Sequence, residues 1–171
     1  MNMHHILISL GTNIQREKHT RSGVEALKQH FEDVQLSSVY ESESVGFDGD
    51  AFYNLVASAY TDLPVAKVCQ ILKQIEQDNG RKRGEKKFAS RTLDLDLLTY
   101  DQLVTKEPVT LPRDEITYNA FVLQPLAELV PTHKHPVKNA SYLDLWQSFD
   151  SSKQKLWPIT FNWREGTHDA I

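Results

Sequence analysis

A single cysteine, Cys69, stands among 171 residues, which rules out an internal disulfide framework. A lone thiol fits a reducing compartment, so a cytoplasmic location is expected. Cys69 lies in the apolar run 65–72, where a buried structural thiol is expected rather than a nucleophile. Glycine and proline number seven each, too few for a linker-rich or disordered chain. No apolar stretch approaches the ~20 residues needed to span a bilayer, so no membrane partner is expected. The opening MNMHHILISLG has neither a basic region nor a small-residue cleavage pattern, and it reads as a first strand rather than a signal peptide. Positive charge is not in excess. The net charge of −4 gives no global basic field to draw nucleic acid. There is no internal repeat and no low-complexity segment. The length suits one domain over residues 1–171 with a single core, expected to act as a monomer.

What is present reads as an alternation of strands and helices. Residues 6–10 form a short apolar run with a strand's length, ending in Gly11-Thr12-Asn13, a turn by default. Residues 17–31 carry Val24, Leu27 and Phe31 at helical spacing. Residues 34–40 alternate as one second strand, 41–50 form a polar loop, and 52–60 form a third strand. Pro64 opens a second helix, whose stripe is Val65, Val68, Cys69, Leu72 and Ile75, with Asn79-Gly80 to end it. A basic loop follows over 81–90, then a fourth strand over 92–100. Strand, helix, strand, strand, helix, strand is the order of an α+β, ferredoxin-like βαββαβ unit, with an antiparallel sheet and both helices on one face. Beyond residue 105, helices are expected over 119–130 and 142–149. Trp146, Trp157 and Trp163 suggest that C-terminal additions pack onto the domain.

The chemistry concentrates at Arg91-Thr92-Leu93-Asp94-Leu95-Asp96-Leu97. Strand alternation turns Leu93, Leu95 and Leu97 toward the core and projects Asp94 and Asp96 together from the other face. Carboxylates roughly 6.5–7 Å apart along a strand repel each other and suit hard cations with oxygen ligands. A half-exposed strand with two solvated acids is the plainer reading of that pattern alone. The basic loop upstream, with Arg81, Lys82, Arg83, Lys86, Lys87 and Arg91, shifts the balance toward a metal–nucleotide site, because these side chains pair with phosphate oxygens. No Walker loop, glycine-rich nucleotide fingerprint or Ser-His-Asp set is legible. His133 and His135 read as a surface turn rather than a zinc site.

Several segments together resemble one family. They are Gly11-Thr12-Asn13, Ser37-Ser38-Val39-Tyr40, Phe52-Tyr53-Asn54, Glu76 with Gly80-Arg81-Lys82-Arg83, and Arg91-Thr92-Leu93-Asp94-Leu95-Asp96. In this order, from about residue 5 to about residue 131, they resemble 6-hydroxymethyl-7,8-dihydropterin pyrophosphokinase of folate biosynthesis. The resemblance implies transfer of the β,γ-pyrophosphoryl group of ATP to the pterin hydroxymethyl oxygen. It implies that Asp94 and Asp96 ligate two Mg²⁺ ions. Arg81 and Arg91 would act in catalysis, and Glu76, Arg81, Arg83, Arg91, Thr110 and Arg113 would contact ATP. Asn54 would bind the pterin edge, with Phe52 and Phe121 on its faces and Val45 and Gly46 lining it. Core packing is the alternative role of the two rings.

The chain also departs from the family's pattern. Arg113-Asp114 stands where a His-Tyr pair is usual, Asn119 and Pro108 replace basic residues, and Phe88-Ala89-Ser90 replaces Trp-Gly-Pro. Glu43-Ser44 replaces a Pro-Pro. These changes gather on the nucleotide side. A diverged pterin- or nucleotide-binding paralogue with weak or no kinase activity, or with an altered pterin preference, is the alternative they leave open.

Overall fold

The computed structural model describes residues 3–42, 51–80, 93–152 and 154–163. The apolar run near the start forms β1 (His4–Thr12), which becomes a central strand because both its faces are apolar. The elements then follow as α1 (Arg16–His30), β2 (Glu32–Leu36), β3 (Val39–Ser42), β4 (Phe52–Thr61), α2 (Val65–Asp78) and β5 (Asp94–Tyr100). A 3-10 turn over Asp114–Thr117 leads to α3 (Ala120–Leu129), α4 (Tyr142–Gln147) and β6 (Leu156–Ile159). The sheet runs β5-β1-β4-β3-β6, with β2 also on β4, and its pairings are antiparallel. This is the expected α+β ferredoxin-like sheet, extended at one edge by β6.

Each face of the sheet has its own apolar layer. Ile6, Ile8 and Leu10 of β1 and Leu95 and Leu97 of β5 join Leu93 on one face. They pack there against Val24 and Leu27 of α1 and Val68, Leu72 and Ile75 of α2. A β-carbon on Gly23 would stand 2.9 Å from Leu10 Cδ1, so this glycine lets α1 lie close on β1. The other face carries Leu7, Val56 and Leu98, covered by Ile116 and by Val122, Leu123 and Leu126 of α3. The additions over α3 and α4 therefore serve the second face, while Ile159 and Phe161 pack against the first. Among the described residues, no helix is long and apolar enough to cross a membrane.

The structure corrects four expectations. Residues 34–40 are not one strand. Leu36 pairs with Ala57 and Tyr40 with Asn54, so four steps (40 − 36) meet three (57 − 54) on β4. The extra residue falls at Ser37-Ser38, where Ser37 Oγ accepts from Val56 N–H at 3.0 Å and donates to Ser38 O at 2.8 Å, standing in for the ladder. Glu41 and Ser42, expected in a loop, continue β3 against Tyr53 and Phe52. Gly11 and Thr12 belong to β1 rather than to a turn, since both are paired to β4. His135 is buried rather than on a surface turn, its Nδ1 accepting from Val137 and Lys138 N–H.

Two terminal features anchor the C-terminal segment. β6 pairs with β3, and Phe161 meets Tyr53 edge-on with ring centroids 6.0 Å apart. Gln154 reaches the start of α3: its Oε1 accepts from Ala120 N–H at 2.7 Å and its Nε2 donates to Tyr118 O at 2.9 Å. Asn119, at the cap position, makes no cap bond of its own, because its amide donates to Glu115 at 3.0 Å. Gln154 thus satisfies an orphan amide of α3 from outside the helix.

Candidate functional site

The register of the sheet assembles the site. Gly11 pairs with Asn54 on one side and with Asp94 on the other, and Ser9 pairs with Asp96. Directly opposed residues share a face, so Asn54, Gly11, Asp94 and Asp96 all project to the α3 side of the sheet. Strands lie ~4.8 Å apart, which puts the Asn54 and Asp94 backbones roughly 10 Å from each other with a side-chain gap between them. Gly11 makes that gap. A β-carbon there would stand 3.2 Å from Asn54 Oδ1 and 3.8 Å from Phe52 Cδ2.

At the Asn54 end, the amide is buried and donates to Ser42 Oγ at 2.9 Å, which fixes its orientation. Ser42 pairs with Phe52, whose ring is half-buried at the start of β4. Phe121 lies in the first turn of α3 and packs, partly buried, against the second apolar layer. Both rings keep some exposure, so core packing does not consume them.

Asp94 and Asp96 are partly exposed on β5, while Leu95 between them is buried, as the alternation requires. Glu76, buried near the end of α2, accepts from Leu95 N–H at 2.8 Å. An acid near a helix C-terminus is unfavourable with the helix dipole; here it holds the backbone between the two aspartates. Arg113 Nη2 donates to Asp96 Oδ1 at 3.2 Å, and Arg113 N–H donates to Leu98 O at 2.9 Å. Thr110 is exposed three residues earlier. Glu115 joins this group: burial, then the charges of Asp96 and Asp94, push its carboxyl up, against Arg113 and Asn119. Cys69 is half-buried rather than buried, and burial pushes its thiol up, away from the reactive thiolate form.

Arg81, Arg83, Arg91, Val45 and Gly46 lie outside the described residues. Ser42 and Glu115 escaped the sequence reading. Ser42 was masked by ending the strand at Tyr40. Glu115 is connected to the aspartates only through space. The donor set fits a hard divalent cation. Asp96, one of the two same-face carboxylates, already holds a guanidinium, and Mg²⁺ commonly takes one or two protein carboxylates and completes its shell with phosphate and water.

Residues 7–131 match the family model of 7,8-dihydro-6-hydroxymethylpterin-pyrophosphokinase. The chain is 35% identical to the 2-amino-4-hydroxy-6-hydroxymethyldihydropteridine pyrophosphokinase of Bacillus subtilis, over 71% of this chain and 75% of that one. It is 32% identical to the Synechocystis protein of the same name, over 91% of this chain and 80% of that one. The fold resembles Plasmodium falciparum HPPK-DHPS crystallised with pteroate, with a TM-score of 0.70 and 13% identity, over 85% of this chain. The chain spans 43% of that longer protein. On the family match and these identities, the chain belongs to the 7,8-dihydro-6-hydroxymethylpterin-pyrophosphokinase family, ATP-dependent pyrophosphokinases of folate biosynthesis.

Proposed function

We propose that the row Asn54–Gly11–Asp94 seats the two substrates of this reaction side by side, the pterin toward Asn54 and the triphosphate toward Asp94 and Asp96. The observation that carries this is the double pairing of Gly11, which leaves one open stretch of sheet between an oriented amide and an acid pair. Asn54, held by Ser42, offers a fixed amide to the pterin edge. Phe52 and Phe121 present rings suited to a flat heterocycle. In the transfer, the pterin hydroxymethyl oxygen bonds to the β-phosphorus of ATP, the α–β bridging P–O bond breaks and AMP leaves, while the hydroxyl proton passes to solvent.

Two Mg²⁺ ions held by Asp94 and Asp96 would neutralise the phosphates and stabilise the attacking and leaving oxygens. Glu76 keeps the strand that carries the aspartates in register. Arg113 lies where it can turn from Asp96 to a phosphate oxygen; Thr110, Arg81, Arg83 and Arg91 are the further phosphate contacts we propose, and Val45 and Gly46 the further pterin contacts. The two apolar layers share one sheet that β6 completes, which supports a single domain over residues 1–171. A cytoplasmic monomer is the state we propose, checked by light scattering and cell fractionation.

The test is AMP release from Mg-ATP and the reduced pterin alcohol. Asp94→Asn and Asp96→Asn should each nearly abolish turnover with the melting temperature preserved, since metal-held charge stabilisation contributes several kcal/mol. Near wild-type kcat in both variants would remove the acid pair from the mechanism. Tight pterin binding by the wild type without AMP release would mark a binding paralogue instead.

A further inference from the structure

We propose that Arg113 is a built-in counter-ion of the acid pair, which competes with a divalent cation for Asp96 and thereby sets how tightly the site takes metal. The inference rests on the reading of Asp94 and Asp96 as metal ligands. Its basis is the geometry of one guanidinium. Arg113 Nη2 lies 3.2 Å from Asp96 Oδ1, with side-chain exposures of 27% and 40%. The base of the side chain is tied to the same strand, through Arg113 N–H on Leu98 O at 2.9 Å. The guanidinium therefore cannot drift far from β5. Its Nε is buried and has no hydrogen-bond partner among the described residues.

A guanidinium carries five donors in a fixed fork, and it is best satisfied by two-point contact with an oxyanion. Here it makes one contact to one carboxylate and leaves a buried donor idle. Such a group is poised for a second anion. A divalent cation on Asp96 would stand beside the guanidinium's full positive charge, so the two cannot share the carboxylate without repulsion. A phosphate resolves the conflict, because its oxygens accept from the released fork. Cation and nucleotide binding are thus coupled through Arg113: the pair guards Asp96 until a phosphate gives the arginine another partner.

Mn²⁺ alone, titrated into the full chain without nucleotide and followed by the loss of the free-ion paramagnetic signal, tests this. Arg113→Met keeps the aliphatic stem and removes the charge. It should bind Mn²⁺ about tenfold more tightly than wild type, the size expected from removing a unit charge near a divalent ion in a hydrated site. Arg113→Lys, which keeps the charge, should stay near wild type, and Asp96→Asn should lose affinity. A structural defect would weaken Mn²⁺ binding, not tighten it. If Arg113→Met does not fold, as judged by thermal unfolding, Arg113→Gln takes its place. Equal affinity in wild type and the uncharged variant, with Asp96→Asn weakened, would overturn the counter-ion role and leave the acid pair standing. Mn²⁺ binding indifferent to Asp94→Asn and Asp96→Asn would overturn both.

Discussion

A methyl group on Gly11 would press within 3.2 Å of Asn54 Oδ1, closer than most real β-carbon contacts, and Asn54 is already held by Ser42. The amide would have to give by a few tenths of an ångström. Gly11→Ala should therefore weaken pterin binding at least several-fold while ATP binding and the unfolding midpoint change little. Calorimetric titration of each ligand separately checks this, and equal losses for both ligands would show that Gly11 serves the whole sheet rather than the amide. Glu115 gives a pH-dependent counterpart. Its carboxyl is pushed up by burial first and by Asp96 next, so the native state holds that proton more tightly than the unfolded chain does. Stability then falls as pH rises from the ordinary Glu range, about 4.3, through the raised native value, because there the native state binds more protons than the unfolded state. Glu115→Gln should gain stability over wild type as pH rises through that window, and the gain should vanish in acid. Urea denaturation without metal between about pH 4 and 7 measures it. A difference independent of pH would contradict the assignment.

Elements were legible where a periodic pattern was long, and they failed where a side chain replaced the backbone. The stripe Val68, Leu72 and Ile75 and the alternation Leu93, Leu95 and Leu97 identified α2 and the buried face of β5 correctly. The break between β2 and β3 was hidden, because Ser37 substitutes its hydroxyl for a ladder bond without disturbing the alternation of residue types. Glu128 fastens the bend that results: its carboxylate accepts from Ser38 N–H at 3.1 Å, Ser38 Oγ at 2.6 Å and Tyr40 Oη at 2.9 Å. Nothing in the order of residues announces that α3 will supply that acid. The cap of α3 is equally non-local. Gln154 does the work that Asn119 leaves undone. Gln154→Ala should lower stability by about 1 kcal/mol, the usual size of a lost helix cap. By fraying the first turn around Phe121 it should weaken pterin binding more than ATP binding. A pterin affinity unchanged alongside the stability loss would show that Phe121 is held by its apolar neighbours alone.

At the scale of the whole molecule, the antiparallel α+β arrangement and the strand face that carries Asp94 and Asp96 followed from the sequence, while the assignment of the second face did not. The helix expected over 119–130 had no destination in the sequence. The destination is the layer of Leu7, Val56 and Leu98, apolar positions on the opposite side from the helices already placed. The C-terminal tryptophans signalled packing, though Trp157 stays 41% exposed and donates to Glu41 from β6 rather than filling a core. A chain ending at residue 154 keeps Gln154 but bares the edge of β3, and exposed edges invite pairing between molecules. It should melt lower than the full chain and elute at a concentration-dependent size. A monomeric elution with an unchanged melting temperature would show that β6 is dispensable.

The central position of β1 has a consequence during synthesis. Gly11 and Asp94 face each other across 83 residues of chain (94 − 11). At ~5–20 residues per second, a growing chain spends roughly 4–17 s between making the first strand and making the strand that closes against it. Through that interval Ile6, Leu7, Ile8 and Leu10, all almost wholly buried in the finished sheet, lack the neighbour that covers one of their edges. The apolar segment of β1 is thus made well before the strand that encloses its second edge. A nascent chain stopped short of residue 94 would expose that edge to chaperones or to other copies of itself.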